Sequence, residues 1–367
     1  MQNTDIRKKI LIICPFPEGE AAGQRLKYEQ FFPNWKKYGF EIEISSFMDL
    51  QMWEVVYTEG NFLKKAFGTI CGYSRRIKDI FRLNKFDVVY VFMWVTPFGS
   101  SLFERLFRLL SINLIYDIED NAMMAQSNTL NPIMKFFKGS GKIQFLIKEA
   151  DYVITSSPFL NDDCLQLNKN KSATFISDAM DIRKYIPINN YKNDSDIVIG
   201  WTGTFSSMMY LDLLRDVFLE LNKRINFKLL IIGNFTYDLP GIDLEVIQWT
   251  KENEIKDLQK IDIGIYPLTQ DKWVLGKSGL KALQYMALGI PTVATNVGTN
   301  PGIISHMENG LLVKTDKEWI EALETLANNP DLRAKIGSKS RTTITENYSL
   351  EVTENKYLSI LHELTQH

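Results

Sequence analysis

The sequence predicts an α/β protein made of two doubly wound parallel-sheet domains. Short apolar runs alternate with helix-period segments along the whole chain, the pattern of parallel strands covered on both faces by helices. The length, 367 residues, suits two or three domains. The strand–helix series also restarts once, after the polar, turn-rich stretch Pro187-Ile-Asn-Asn-Tyr-Lys-Asn-Asp-Ser195, which marks a domain junction.

In the first half, Lys9–Ile13, Glu41–Ser45, Val88–Phe92, Leu114–Ile118, Tyr152–Thr155 and Thr174–Ile176 read as strands. Helical periodicity falls between them at Arg25–Tyr38, Gly72–Leu83, Gly99–Leu110, Ile143–Ala150 and Pro158–Leu167. In the second half the strands are Asp196–Trp201, Lys228–Ile232, Leu244–Gln248, Ile261–Tyr266, Thr292–Thr295 and Leu311–Val313. Their helices are Tyr210–Asn222, Ile255–Gln259, Gly279–Leu288, Pro301–Met307 and Lys317–Asn328, followed by terminal helices at Arg333–Ile344 and Leu350–Leu364. The expected domains are 1–187 and 188–345, with 346–367 as a helix packing back on the first. Two such domains facing one another would leave a cleft between the carboxyl ends of both sheets, where folds of this kind bind ligands.

Apolar residues are 45% of the chain and charged residues 23%, which excludes disordered and fibrous classes. The net charge of -2 argues against bulk nucleic acid as the main partner. It hides a basic first half: residues 1–185 carry 24 Lys+Arg against 21 Asp+Glu, and the remainder 18 against 23. Cys14, Cys71 and Cys164 form no CxxC pair, and His306, His362 and His367 all lie near the C-terminus, so neither a disulfide framework nor a His-rich metal centre is expected. The first twenty residues hold an apolar run of only four or five, too short for a leader or a membrane span. A reducing, cytoplasmic compartment is expected.

The most informative segment is Ile261–Gly310. A strand ends at Tyr266-Pro267, a polar loop follows, and a helix begins near Gly279 with Lys281 and Gln284 on one face. Lys277 stands just before it, and the next strand ends in Val297-Gly298-Thr299-Asn300-Pro301 at the start of another helix. Helix N-termini with small residues and adjacent lysines suit a diphosphate. Taken singly, each lysine reads more readily as a solvated surface charge, and the loop architecture around them reverses that reading.

The run GKSGLKALQYMALGIPTVATNVGTN, followed by ENGLLV, resembles the donor-binding signature of family 4 retaining glycosyltransferases of the two-domain GT-B fold. More narrowly, it resembles a bacterial subgroup reading GK-x-x-x-K-x-L-Q-Y-M-A-x-G-x-P. The segments IVIGWTGTFSSMMYL, VIQWTKENE and IDIGIYPL agree, so the resemblance covers about residues 196–350. In the first half it rests on PFPEGEAAGQR, LIYDIEDNA and FISDAMDIRKYIP.

The resemblance implies a nucleotide-sugar donor and a glycan or lipid-linked acceptor, in bacterial surface polysaccharide or lipopolysaccharide assembly. A helix N-terminus at Gly203, Thr204, Ser206 and Ser207 would face the donor phosphates, Lys277 and Lys281 would meet the diphosphate, and Gly298, Thr299 and Asn300 would line the same pocket. Asn234 and Trp249 would neighbour the base. The family's two glutamates, the second of which contacts the ribose, are replaced by Gly276 and Gln284. An amide still donates and accepts. The sugar's C1–O bond would break through an oxocarbenium-like transition state, with charge gathering on the diphosphate that amide dipoles and lysines stabilise.

No cofactor and no metal is expected. Asp194-Ser195-Asp196 has the D-x-D form but precedes a strand, and reads as a solvated turn. Asp117-Ile118-Glu119-Asp120 ends a strand, and Asp120 is the candidate catalytic acid there, with a turn cap as the equal alternative. The glycine-containing loop Pro17–Arg25 offers Gly19, Gly23 and Arg25 to a cleft ligand or acceptor, though its pattern is not a dinucleotide fingerprint. Basic and aromatic residues interleave over 61–86, suiting a peripheral membrane contact or an ordinary amphipathic helix pair. A nucleotide-sugar epimerase on the same fold would need acid–base residues, and histidines are lacking there. A non-catalytic sugar- or nucleotide-binding protein is the reading from a different class.

Overall fold

The computed structural model describes residues 7–119, 141–188 and 197–366. Asp120, Asp194, Asp196 and His367 lie outside the described residues. The chain divides into two compact units, Met1–Ser177 with Thr353–His367, and Asp178–Val352.

The first unit holds strands β1 Lys8–Cys14, β2 Phe40–Ser46, β3 Val88–Phe92, β4 Leu114–Ile118, β5 Tyr152–Thr155 and β6 Ala173–Phe175. They form one sheet in the order β2-β1-β3-β4-β5-β6, parallel throughout, with Ile12 opposite both Ile44 and Tyr90. The central strands β3 and β4 are buried at every residue, which is why they read as unbroken apolar runs. The edge strand β2 keeps Glu41 and Glu43 in its sequence because only part of it is covered.

The second unit holds β7 Ile197–Gly203, β8 Phe227–Gly233, β9 Asp243–Gln248, β10 Ile263–Tyr266, β11 Thr292–Thr295 and β12 Leu311–Val313. Their order is β12-β11-β10-β7-β8-β9, again parallel, with Gly203 opposite Gly233. Read from the other edge, this is the dinucleotide-fold order 3-2-1-4-5-6, whose direction reverses between β7 and β10. Trp201, Phe218, Leu229, Ile263 and Trp319 belong to one core cluster in this unit; each such buried side chain contributes about 1.5–3 kcal/mol.

The unit boundary falls at Asp178 because the chain beyond it packs with the second sheet. Met180 and Tyr185 lie in the cluster that contains Tyr285 and Met286, and the Met180 amide donates to Tyr348 O at 2.8 Å. The last helix, Leu350–Thr365, ends in the first unit: the Tyr357 ring meets Phe31 and Trp35 at 5.1 and 5.5 Å, and His362 meets Phe40 at 5.3 Å.

Several elements differ from the sequence reading: the expected Tyr210–Asn222 helix is Met208–Leu211, a 3-10 turn and Arg215–Leu221, and the expected Pro301–Met307 helix is Asn300–Ile303. The expected helix Arg25–Tyr38 is split into Ala22–Arg25, a 3-10 turn and Phe32–Lys37, since Pro33 lacks the N–H a continuous helix requires and starts the second piece. A helix at Leu50–Val56 is additional, capped by Asp49, whose carboxylate accepts the Met52 amide at 2.9 Å. The next helix runs from Phe62 to Ile80, ten residues upstream of the expected start. Gly68 and Gly72 look like breaks in the sequence, yet here they admit close packing: a Cβ on either would lie within 2.7 Å of Met52 or Phe47.

Candidate functional site

In the second unit, Gly203 ends β7 and Tyr266 ends β10, the two strands between which the strand order reverses, while Asn234, Trp249 and Gly298 follow β8, β9 and β11. The helix Leu280–Ala287 is fixed beneath this point. The Tyr285 hydroxyl accepts the Thr202 amide at 2.8 Å, and its ring lies where a Cβ on Gly264 of β10 would come within 2.6 Å. Burial pushes the Tyr285 phenol up, so it remains neutral. Gly279, at φ +82°, starts the helix, and a Cβ there would approach Ile303 to 2.5 Å; only glycine meets both conditions.

This placement sets the two lysines on aromatic faces. Lys281 Nζ is 5.6 Å from the centre of the Trp201 ring and 5.3 Å from Tyr266. Lys277 Nζ is 5.6 Å from Tyr210. Trp201 lies in β7 and Tyr266 ends β10, so two adjacent strands carry one ammonium between them. Such contacts contribute about 0.5–2 kcal/mol each.

The loop after β11 is tied to the same place. The Thr299 hydroxyl donates to Lys277 O at 2.6 Å, and the Asn300 amide donates to Thr295 O at 2.9 Å. Gly298 holds φ +62°, and a Cβ on it would lie 2.9 Å from Val274 O. Asp271 organises the approach to Lys277 by accepting the amides of Trp273 and Val274 at 2.8 and 3.2 Å.

The segment after β7 departs from expectation. It is no long helix start but a 3-10 turn, Phe205–Ser207, followed by the short helix Met208–Leu211. Its polar groups serve one another: Thr204 N donates to Ser207 Oγ at 3.1 Å, and the Thr204 and Ser206 hydroxyls pair at 2.8 Å. Asn234, expected beside a base, holds this turn by accepting the Phe205 amide at 3.0 Å. Gly203 is needed here because a Cβ would meet the Trp201 ring at 2.3 Å. Trp249 follows β9, packs half-buried on the second core cluster and donates its amide to Gly233 O at 2.9 Å.

Gln284 is 5% exposed, and its amide donates to Tyr185 Oη at 3.2 Å and Glu254 Oε1 at 3.3 Å. The carboxylate missing from the helix therefore stands opposite it, on Glu254. Gly276, at the other family position, is buried at the end of the 3-10 turn Val274–Gly276. Trp201, Tyr266, Tyr210, Tyr185 and Glu254 escaped the sequence reading; the aromatic residue near the end of each strand, in VIGWTG and IGIYPL, was the available signal for two of them.

In the first unit the loop after β1 is braced by its own side chains. Gly19, at φ +78°, donates its amide to Glu29 Oε2 at 2.8 Å, and the Gln24 amide donates to Phe16 O and Glu29 Oε1 at 3.1 and 2.9 Å. Burial raises Glu29 against the opposing pull of those donors. A Cβ on Gly23 would lie 2.7 Å from Glu119 Oε2, so this loop meets the end of β4. Arg25 ends the short helix Ala22–Arg25. Below it, the buried Lys27 donates to Asp117, as does Tyr90; burial still drives the Asp117 carboxyl upward.

Among the described residues no three His, Cys, Asp or Glu side chains are grouped to hold a metal ion. All three cysteines are free.

Each unit carries a six-stranded parallel sheet in an α/β layout, the GT-B fold, and the solved structures agree. Sucrose-phosphate synthase from Thermosynechococcus elongatus superimposes with a TM-score of 0.72 at 13% identity, over 98% of this chain and 99% of that one. HepE from Anabaena, solved in complex with UDP and glucose, gives 0.66 at 12% identity over 97% and 100%. Residues 183–343 match the family model "Glycosyl transferases group 1", and those residues contain every donor-binding candidate named above. Among curated proteins, the lipopolysaccharide core biosynthesis glycosyltransferase LpsE of Rhizobium meliloti is 24% identical over 271 residues, 66% of this chain and 75% of that protein. The chain spans 35% and 24% of the lengths of two other curated relatives it matches.

Proposed function

We propose that this protein transfers a sugar from a nucleoside-diphosphate donor to a glycan or lipid-linked acceptor, in the assembly of bacterial surface polysaccharide. The observation that carries this reading is the pair of lysines seated on Tyr210, Trp201 and Tyr266 at the strand-order reversal of the second unit. That reversal is where open α/β sheets bind ligands. The fold's occurrence with UDP and glucose in the Anabaena protein supports a nucleotide-sugar, as does the match to the group 1 family over the same residues.

The chemistry follows from the charges. As the C1–O bond of the donor breaks, the electron pair passes to the diphosphate. Lys277 and Lys281 face that growing charge with little reorganisation, since aromatic faces already hold them. Gln284, oriented by Glu254 and Tyr185, takes the ribose hydroxyl. The acceptor oxygen attacks the face the diphosphate leaves and gives its proton to the departing phosphate, so the anomeric configuration is retained. With two ammonium groups present, the reaction proceeds without a divalent cation or other cofactor, in the reducing cytoplasm.

A panel of nucleotide-sugars incubated with the protein and membrane extract, read by released nucleotide, tests the reading. Release of UDP or GDP from one donor, undiminished by EDTA, is the expected result. No release from any donor, together with a thermal shift on binding, would instead identify a binding protein. An inverted anomeric centre in the product's NMR spectrum would overturn retention.

A further inference from the structure

The helix Phe62–Ile80 is amphipathic the wrong way round for a protein surface. Its buried residues are Gly68, Gly72, Arg76 and Asp79. Arg76 is fixed there by donating to Val95 O at 2.8 Å, Cys14 O at 2.9 Å and Asp79 at 3.2 Å. Its outward stripe is Leu63, Phe67, Ile70 and Ile77, continued by Phe81, and these are 87, 67, 64, 48 and 79% exposed. The spacing of four, three, seven and four residues keeps them on one face, for a length of about 28 Å. A soluble surface rarely carries so long an apolar stripe without a partner.

A second helix packs beside this one. Tyr73 joins this helix to Leu102–Leu110 through a ring contact with Phe103 at 5.6 Å and a hydrogen bond to Phe98 O at 2.9 Å. Leu102 and Leu109 of that second helix are 57 and 77% exposed.

Charge identifies the occupant. Residues 61–86 hold seven Lys and Arg against one acidic residue, Asp79, and Asp79 is buried. Lys64 and Lys78 are exposed on the helix that bears the stripe. An apolar ridge bordered by cations is the form of a helix lying in the interface of an anionic bilayer. Among the described residues no helix is long and apolar enough to cross one.

We propose that this face docks the first unit on an anionic lipid surface, with Leu63, Phe67, Ile70, Ile77 and Phe81 entering the headgroup boundary and Lys64 and Lys78 meeting lipid phosphates. The inference goes beyond the transfer reaction and does not rest on it, since vesicle binding is read without substrate.

The test is co-sedimentation of the full chain with vesicles of phosphatidylcholine containing about a third phosphatidylglycerol, compared with pure phosphatidylcholine. Binding to the anionic vesicles should be about tenfold stronger or more, and should weaken as salt rises. The triple variant Leu63→Glu, Phe67→Glu, Ile70→Glu should lose binding with an unchanged Tm, because the substituted residues are solvent-exposed. Independently, the double variant Lys64→Gln, Lys78→Gln should lower anionic-vesicle binding by about tenfold or more. Parent protein remaining in the supernatant with both vesicle types would overturn the proposal. So would self-association in sedimentation velocity that the apolar triple variant abolishes, which would make a second copy the occupant.

Discussion

Lys281 Nζ stands 5.3 Å from the centre of the Tyr266 ring and 5.6 Å from that of Trp201, so the side chains of β7 and β10 jointly hold one cation at the reversal of strand order. A lysine kept on aromatic faces is already placed when a phosphate arrives. Lys281→Ala should therefore lower kcat with the identified donor by about 10²–10³-fold, the loss typical of one preorganised charge-stabilising donor. Lys281 is half-buried and gives up its contacts with Trp201 and Tyr266, so stability should fall by about 1–3 kcal/mol without loss of the fold. Thermal melting beside steady-state kinetics separates the effects; an unfolded variant would remove the assignment.

Gln284 opposite Glu254 gives a second prediction. Gln284→Glu would restore the carboxylate characteristic of the family position, but 3.3 Å from an existing one. In a buried site, two carboxylates at that distance raise the pKa of the pair. The variant should be destabilised by about 1–3 kcal/mol near neutral pH. Because the pair is raised in the folded state, the loss should shrink as pH falls toward the ordinary carboxylate range. Tm profiles of parent and variant from acid to neutral pH check this, and parallel profiles would refute it. Adding Glu254→Gln should recover most of the stability, which distinguishes charge from shape.

The sequence carried the strands well and the site unevenly. β3, β4, β5, β11 and β12 begin and end where the apolar runs do, because parallel strands buried on both faces leave little freedom in composition. Of the residues around the two lysines, Thr299 bonds to Lys277 O, Asn300 bonds to Thr295 O, and Lys281 lies on Trp201 and Tyr266. The aromatic seats of the lysines come from strands and turns distant in sequence, and no local pattern joins Trp201 to Lys281. Glu254 was hidden for the same reason, 30 residues from Gln284. The sequence placed the helix Phe62–Ile80 only from Gly72, so the outward residues Leu63, Phe67 and Ile70 went unread; the packing of Gly68 and Gly72 on Met52 and Phe47 shows which face is inside.

Gly279 supports a third prediction. Its φ of +82° disfavours any side chain, and a Cβ would come to 2.5 Å from Ile303 Cδ1. Gly279→Ala should cost about 1–3 kcal/mol from the backbone alone, with a further loss for the displaced isoleucine. In a unit of this size that corresponds to a Tm lower by about 2–4 °C per kcal/mol. The helix start that positions Lys281 would move with it, so kcat should fall even at temperatures where the protein is folded. A variant with unchanged Tm and unchanged turnover would show that this turn does not position the lysine.

Asp262 gives the pH dependence with the clearest sign. It lies just before β10 and accepts the Val198 amide at 2.9 Å. Burial raises its carboxyl above the usual aspartate range, with Val198 and Arg333 opposing the rise. A raised acid binds its proton more tightly in the folded state than in the unfolded one. Its contribution is therefore full below the ordinary aspartate pKa and is lost as pH rises through the elevated folded value. Asp262→Asn keeps an oxygen for the Val198 amide and removes the ionisation. The variant should lack the decline of stability with rising pH that this group causes, and at pH 7 it should melt at or above the temperature of the parent. Tm measured at intervals between about pH 3.5 and 7 tests this. A variant that loses stability relative to the parent as pH rises across this range would show that the ionised Asp262 is stabilised by its surroundings rather than penalised by burial.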